Sequence, residues 1–189
     1  MLFGDSVETK LISTGAVCNI CTSSFPKQSL KVLHTEGLSL TPQQVSTGSE
    51  KYRCIELMFC LPDYWDLSVQ YWPKTWLEKI AHIPSKFNTW LGPGDTIPAG
   101  KPPTVLTDNF AADHFVISEP IILKDFLSSA GNKSPEVAVL SIIPIFQQEL
   151  DFKLRNSGTA LLMRLAEKRV TDEVDLYRKS VCRKRILGF

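Results

Sequence analysis

The sequence predicts an α+β fold: a single compact domain with a mixed, mostly antiparallel sheet and helices packed on it. Strand-like segments fill the first third and adjoin at a glycine, as in a β-hairpin. The segment Tyr52 to Leu61 is apolar on both faces, which is typical of a central strand covered on both sides. Segments with helical spacing of apolar residues then alternate with further strand-like runs.

The composition is typical of a soluble globular protein. The chain has 189 residues, of which 43% are hydrophobic and 22% charged, and 21 Lys and Arg against 20 Asp and Glu give a net charge of +1. The apolar content excludes general disorder. The charge balance excludes a strongly basic nucleic-acid wrapper, so we expect no nucleic-acid partner. We assign residues 1–189 to one domain, because a chain of this size buries enough surface to fold without a metal or disulfide.

The sequence predicts a cytoplasmic protein with no membrane partner. The longest apolar stretch, 137–146, is interrupted by Ser141 and Pro144, and a membrane span needs about 20 apolar residues. Residues 1–8 lack the basic and apolar regions of a signal peptide. The five cysteines are an odd number and lie mostly in apolar runs, which indicates reduced thiols.

The first half is predicted to be strands followed by a helix. Val7 to Thr14 and Ala16 to Ser23 form a hairpin around Gly15, and Leu30 to His34 forms a further short strand. The helix runs over 73–84, where one proline suits its first turn and another stops it.

The second half is predicted to begin with strands and end in helices. Asp113 to Leu123 is a strand whose Pro120 indicates a sheet edge or a bulge, and Glu136 to Ile143 is a buried strand. Pro144 begins a helix, and a second helix covers Thr159 to Lys168.

The stretch Asn88 to Pro103 is a compositional outlier, rich in glycine and proline. It also carries Trp90, Leu91 and Ile97, which are unusual in a free linker, so we predict a long loop docked on the domain. Aromatic anchors are typical of binding surfaces. The candidate partner-binding or loop-signature residues are Trp65, Trp72, Trp90, Gly92, Gly94, Asp95, Thr96 and Pro98.

Motifs for metals and catalysis are incomplete. Cys18 and Cys21 have the spacing of half a zinc knuckle or of a redox pair, but in a strand their side chains point to opposite faces, which favours structural thiols. His34, His82 and His114 stand in no HExxH motif and beside no GxSxG elbow. We therefore predict no catalytic residue, no cofactor and no metal.

Two enzymatic alternatives stay open from the residues alone. A thiol such as Cys54 or Cys60 could pair with His34 as a nucleophile. A site could also lie under the 88–103 loop, where a carboxylate would act with a histidine. The candidate carboxylates are Asp63, Asp66 and Asp95.

The C-terminal end of the chain is basic. Its cations are Arg178, Lys179, Arg183, Lys184 and Arg185. A solvated terminus would account for them. As a functional interpretation, we predict an electrostatic contact with an acidic protein partner.

Several strings resemble the suppressor of fused domain family in order and spacing. They are LHTEGLS (33–39), ELMFCLPDYW (56–65), WPKTWLEKIAHIP (72–84), NTWLGPGDTIPAG (88–100), IIPIFQQELDFKLRNSGTALLMRL and VDLYRKSVC. The resemblance is strongest over 30–182. Asp95 departs from the family, which often has His there, so a role that needs an imidazole at this position is not carried over.

The resemblance implies a compact mixed α/β domain and a binding role rather than catalysis. In animals, suppressor of fused is a cytoplasmic negative regulator of Hedgehog signalling that holds a zinc-finger transcription factor with this domain and a second one. This chain begins at Met1 and has no room for the second domain, so it resembles the stand-alone bacterial members. For those, the family implies an immunity role, so we expect a protein partner that is a toxin or a regulated protein.

Overall fold

One seven-stranded sheet organises the residues that the computed structural model describes, which are 2–3, 7–128 and 136–182. The strands are β1 (Thr9–Thr14), β2 (Asn19–Phe25), β3 (Leu30–Glu36), β4 (Cys54–Pro62), β5 (Thr96–Pro98), β6 (His114–Ser118) and β7 (Val137–Ile145). The helices are α1 (Trp72–Ala81), α2 (Ile83–Phe87), α3 (Lys124–Phe126), α4 (Gln147–Arg155) and α5 (Gly158–Glu167). No helix in these ranges is both long and apolar enough to cross a membrane.

The strand order is β1-β2-β3-β4-β7-β6-β5, with β4 at the centre. Every neighbouring pair is antiparallel except β4 and β7, which are parallel. A parallel pair needs a long crossover, and here the connection contains α1, α2 and the outer strands β5 and β6. This topology confirms the predicted α+β fold with a mixed, mostly antiparallel sheet.

Strand β4 is buried on both faces, as its sequence predicts. Ile55, Leu57, Phe59 and Leu61 pack on one face with α1 and the tryptophans after β4. On the other face, Met58 and Cys60 pack against residues of the N-terminal segment, β2 and β3. The two apolar faces follow from the strand period of two residues.

The prediction that Pro144 begins a helix is wrong. Pro144 lies inside β7, opposite Phe115 of β6, and α4 begins only at Gln147. Pairing between β7 and β4 ends at Ser141, so the missing N–H of Pro144 leaves no gap in that ladder. The first turn of α4 is fixed instead by a carboxylate of its own, described below.

The prediction of an edge strand containing Pro120 is also wrong. Strand β6 ends at Ser118, before the proline, and lies between β5 and β7. Within the described sheet, the edges are β1 and the three-residue β5. Pro84, predicted to stop the first helix, lies in the first turn of the short α2, because a proline suits that position.

Candidate functional site

The two tryptophans beside β4 form part of the core. Trp65 and Trp72 are only 4% and 7% exposed. Their ring centroids lie 5.8 Å apart in an edge-to-face arrangement, and Trp72 packs in the same way on Phe59. Trp65 Nε1 donates to the backbone oxygen of Gln70 at 3.0 Å, which fixes the chain that leaves β4. Both indoles therefore support the surface around them rather than reach a partner themselves.

The glycine- and proline-rich loop is docked through its backbone. Gln43, itself buried, accepts from the N–H of Leu91 at 2.9 Å and donates to the Leu91 oxygen at 3.0 Å. Trp90, half-buried, lies over Gly92 so closely that a Cβ on this glycine would come within 2.3 Å of the indole ring. The Asp95 carboxylate accepts from the Gly92 N–H at 2.8 Å, which closes the turn.

The tip of the loop rests on the start of α5. Gly94, at φ +92°, approaches Gly158 so closely that a Cβ on Gly158 would lie 2.5 Å from the Gly94 oxygen. Lys153 of α4 donates to the Thr96 hydroxyl at 3.2 Å, and Thr96 and Pro98 lie in the edge strand β5. The loop residues chosen from sequence therefore form a packed structural unit.

In the part of the chain that the structure describes, the three histidines bond to groups other than Asp63, Asp66 and Asp95, which are the carboxylates of the second enzymatic alternative. His34 Nε2 lies 2.9 Å from Ser23 Oγ, His82 Nδ1 lies 2.7 Å from the Glu78 backbone oxygen, and His114 Nδ1 lies 2.8 Å from Asp113 Oδ1. Burial lowers the pKa of His34 to about 4, so this imidazole is neutral at physiological pH.

Of the thiols named in the sequence-based alternatives, Cys18, Cys21 and Cys60 are buried, whereas Cys54 is half-buried at the start of β4. Burial raises the pKa of Cys18 to about 12 and that of Cys21 to about 11. It also raises the pKa of Cys60, whose sulfur lies 3.8 Å from an Asp172 oxygen rather than beside His34. Raised pKa values disfavour the thiolate that a nucleophile or metal ligand requires. In the described part of the chain, no group of three or more His, Cys, Asp or Glu could hold a metal.

Three buried carboxylates explain several of the strings that resemble the family. Glu56 of β4 is 3% exposed and accepts from the Thr35 hydroxyl at 2.5 Å. It also accepts from the backbone N–H groups of Gly37 and Ser39, both at 3.0 Å. The polar residues of LHTEGLS thus bind the glutamate of ELMFCLP, and this contact fixes the turn after β3.

Asp172 joins the C-terminal segment to the centre of the sheet. It is fully buried and accepts from Ser141 Oγ at 2.6 Å. The N–H groups of Ile121 and Ile122 donate to it at 3.0 and 3.1 Å. These bonds hold the chain after β6 and the chain after α5 against β7.

The third buried carboxylate, Glu149, forms an ion pair with Arg178, so this arginine adds little to the exposed positive charge. The guanidinium donates to both oxygens of Glu149 at 2.8 Å, and the arginine side chain is only 9% exposed. It also donates to the backbone oxygen of Pro144 and lies over the ring of Phe146. Glu149 in turn accepts from the Phe146 N–H, which fixes the first turn of α4.

Of the cations predicted to contact an acidic partner, Lys179 lies in the described part of the chain and is exposed. Arg183, Lys184 and Arg185 lie outside the described residues. The geometry of Arg178 is that of a structural ion pair, so this residue is not carried into the partner contact.

A groove lies where the chain leaving β4 meets the C-terminal segment. Val174 N donates to the Cys60 oxygen at 2.8 Å, so residues 171–177 run beside the end of β4. The groove has a volume of about 470 Å³. We call it the acidic groove; its characteristic lining residues are Tyr64, Asp66, Val69, Glu173, Asp175 and Tyr177.

Large apolar groups stand exposed at this groove. Tyr64 is 79% exposed, Val69 71% and Tyr177 87%. Beneath them, Trp65 and the 1%-exposed Val174 belong to the core and form a rigid floor. Exposed aromatic groups above a rigid floor are typical of protein-binding surfaces.

Sequence reasoning did not find this groove. Asp63 and Asp66 follow directly after β4, but their neighbours across the groove lie more than a hundred residues later in the chain. The signals present are the alternation of apolar and polar residues in 65–71 and the acidic stretch 172–175. Neither shows by itself that the other lies beside it.

Comparisons with known proteins agree with this architecture. The family model described as Suppressor of fused protein (SUFU) matches residues 15–179. No curated protein gives a significant match to the sequence.

Three solved structures resemble the chain in fold. A protein described as a SUFU homolog from Neisseria gonorrhoeae has a TM-score of 0.62 at 15% identity, over 94% of this chain and 88% of that one. The Sufu–Fu complex gives a TM-score of 0.62 at 16% identity, over 93% and 84%. Drosophila Suppressor of Fused gives 0.52 at 14% identity, over 93% of this chain but 42% of that one. With a family model that covers most of its length, this chain belongs to the suppressor of fused (SUFU) family.

Proposed function

We propose that this chain is a non-catalytic, cytoplasmic protein-binding domain that binds and neutralises a toxin or otherwise regulates a protein partner. The observation that carries the proposal is the Sufu–Fu complex, in which a protein of the same fold is seen with a protein partner. The resemblance to stand-alone bacterial members of the family supports the immunity form of this role.

The surface chemistry is consistent with recognition. The most buried ionisable groups bond within the chain: Glu149 to Arg178, Glu56 to a turn, and Asp172 to two backbone N–H groups. The large apolar side chains left in solvent at the acidic groove are suited to anchor a partner.

Growth rescue tests the proposal. The product of the reading frame next to this chain's gene is expressed alone and together with the tagged chain. We expect growth arrest that the chain relieves, and recovery of the two proteins as one complex. A product that forms the complex without arresting growth supports the regulatory form of the role.

A core variant provides the control. Leu57→Asp places a charge at a fully buried position, so the chain is expected to unfold and lose both rescue and complex formation. If growth stays arrested with the folded chain present, and no protein copurifies with it, the proposed function is wrong.

A further inference from the structure

The acidic groove carries an unbalanced negative charge. Asp63, Asp66 and Asp175 are exposed around it, and Glu173 is half-buried between them. Among the ion pairs of the described residues, none involves these four carboxylates. The neighbouring cation is Lys31, which donates to the Trp65 backbone oxygen at 2.5 Å.

The carboxylates influence one another electrostatically. Burial raises the pKa of Glu173 above its usual value, and the negative charges of Asp175, Asp172 and Asp63 raise it further. Hydrogen bonds from Ser68 lower the pKa of Asp66, with a smaller contribution from Lys31. The groove therefore holds negative charges whose mutual repulsion a bound cation would relieve.

A hydrogen-bond acceptor in the same place also lacks a donor. Gln70 lines the groove, and its Oε1 atom is buried without a hydrogen-bond partner. An unsatisfied buried acceptor costs free energy, and an incoming N–H donor would recover this cost if the half-buried Gln70 side chain turned its amide towards the groove. This observation is independent of the carboxylates and favours a ligand that brings an N–H donor.

We propose that the acidic groove binds a basic, extended segment of a partner protein, in which arginine or lysine alternates with apolar side chains. The cations would meet the carboxylates of Glu173, Asp175 and Asp66. The apolar side chains would pack between Tyr64, Val69 and Tyr177, and the two tyrosine rings also attract cations. The inference rests on the proposed function, because it specifies the chemistry of the partner.

The groove fits this occupant better than other ligands. Nucleic acid is disfavoured because its phosphates would meet the same negative charges. A small cation alone would make no apolar contact with the exposed aromatic side chains at the rim of the groove. A basic peptide with apolar side chains matches the negative charge, the unpaired acceptor oxygen of Gln70 and the exposed aromatic rim together.

Selection of peptides tests the proposal. A phage library of random 12-residue peptides is selected on the wild-type chain, and enriched peptides are synthesised with a fluorescent label. We expect arginine or lysine flanked by Leu or aromatic residues. Binding, measured by fluorescence anisotropy, should weaken at least tenfold in the double variant Glu173→Gln/Asp175→Asn, and also in Tyr177→Ala.

The matched control is Glu8→Gln/Asp108→Asn, which removes one Glu and one Asp at exposed positions that do not line the groove. It should bind as the wild type does. Enriched peptides without basic residues, or equal binding by the two double variants, would overturn the proposal.

The same variants separate this inference from the proposed function. A natural partner that binds the wild type and Glu173→Gln/Asp175→Asn equally well supports the proposed function, but it overturns the proposal that the partner binds in the acidic groove. If the wild type recovers no partner, the function fails, while the peptide result still decides the chemistry of the groove. Each variant is accepted only if its circular dichroism matches that of the wild type.

Discussion

At the scale of residues, buried carboxylates rather than exposed salt bridges fix the irregular segments of this chain. Glu56, Glu149 and Asp172 each accept hydrogen bonds from segments far away in sequence. Removing one partner of a buried ion pair is costly, because the other charge is then left without compensation. The ion pair between Lys51 and Glu119 differs from these buried contacts, because both of its side chains are mostly exposed to solvent.

Glu149→Gln should destabilise the chain by about 3–5 kcal/mol, because it leaves the guanidinium of Arg178 buried without a counter-charge. Urea unfolding gives the free energy. Glu119→Gln is the matched control and should cost about 0–1 kcal/mol, as exposed pairs do. Similar losses in the two variants would contradict the structural role of Glu149.

The buried His34 should make stability depend on pH. Its pKa is 6.5 in the unfolded chain and about 4 in the folded one, so between these values the unfolded chain binds more protons. The free energy of unfolding should therefore fall by on the order of 3 kcal/mol as pH drops through this window.

Urea unfolding at a series of pH values checks this dependence. In His34→Gln the part of the slope due to this imidazole should vanish, while His82→Gln, which changes a half-buried histidine at the C-terminal end of α1, should keep it. An unchanged slope in His34→Gln would show that other groups cause it.

Glu173→Gln should raise the stability of the free chain at pH 7. The pKa of Glu173 is raised in the folded state, chiefly by burial, so its ionised form is less favourable there than in the unfolded chain. Thermal unfolding compares this variant with Glu8→Gln, which is exposed. A lower midpoint than that of the wild type would contradict the unbalanced charge assigned to the groove.

At the scale of elements, the docked loop depends on close backbone contact with α5. In Gly158→Ala the new Cβ would lie 2.5 Å from the Gly94 oxygen, so one backbone must move. We expect a loss of about 1–3 kcal/mol in urea unfolding, which is typical of overpacking. Thr159→Ala, at the next and exposed position, is the control; an equal loss there would contradict the contact.

The sequence predicts elements well where one local pattern decides them. The two apolar faces of 52–61 give β4, and the spacing of apolar residues gives α1 and α5. The error at Pro144 arises because the effect of a proline depends on whether a neighbouring strand needs its N–H. That neighbour is β4, which lies far away in sequence and whose pairing with β7 ends at Ser141. The error at Pro120 is one of extent, since β6 ends at Ser118, before the proline.

At the scale of the whole molecule, the net charge of +1 hides an uneven distribution. The sequence predicts a basic contact, but Arg178 forms an ion pair with the buried Glu149, and the exposed carboxylates of Asp66 and Asp175 lie at the acidic groove. No local pattern could reveal this groove, because a bridge between Cys60 and Glu173 brings its two walls together. The family, in contrast, could be recognised from sequence, since its strings contain the turn and loop residues that the fold requires.

The most direct test of the account is a calorimetric titration of the partner recovered by growth rescue into three forms of this chain. They are the wild type, Glu173→Gln/Asp175→Asn and Glu8→Gln/Asp108→Asn. The account predicts one saturable site in the wild type, the same affinity in the control, and at least tenfold weaker binding in the groove variant. Equal affinity in all three forms would contradict the proposal that the partner binds in the acidic groove. No binding to the wild type would contradict the protein-binding role itself.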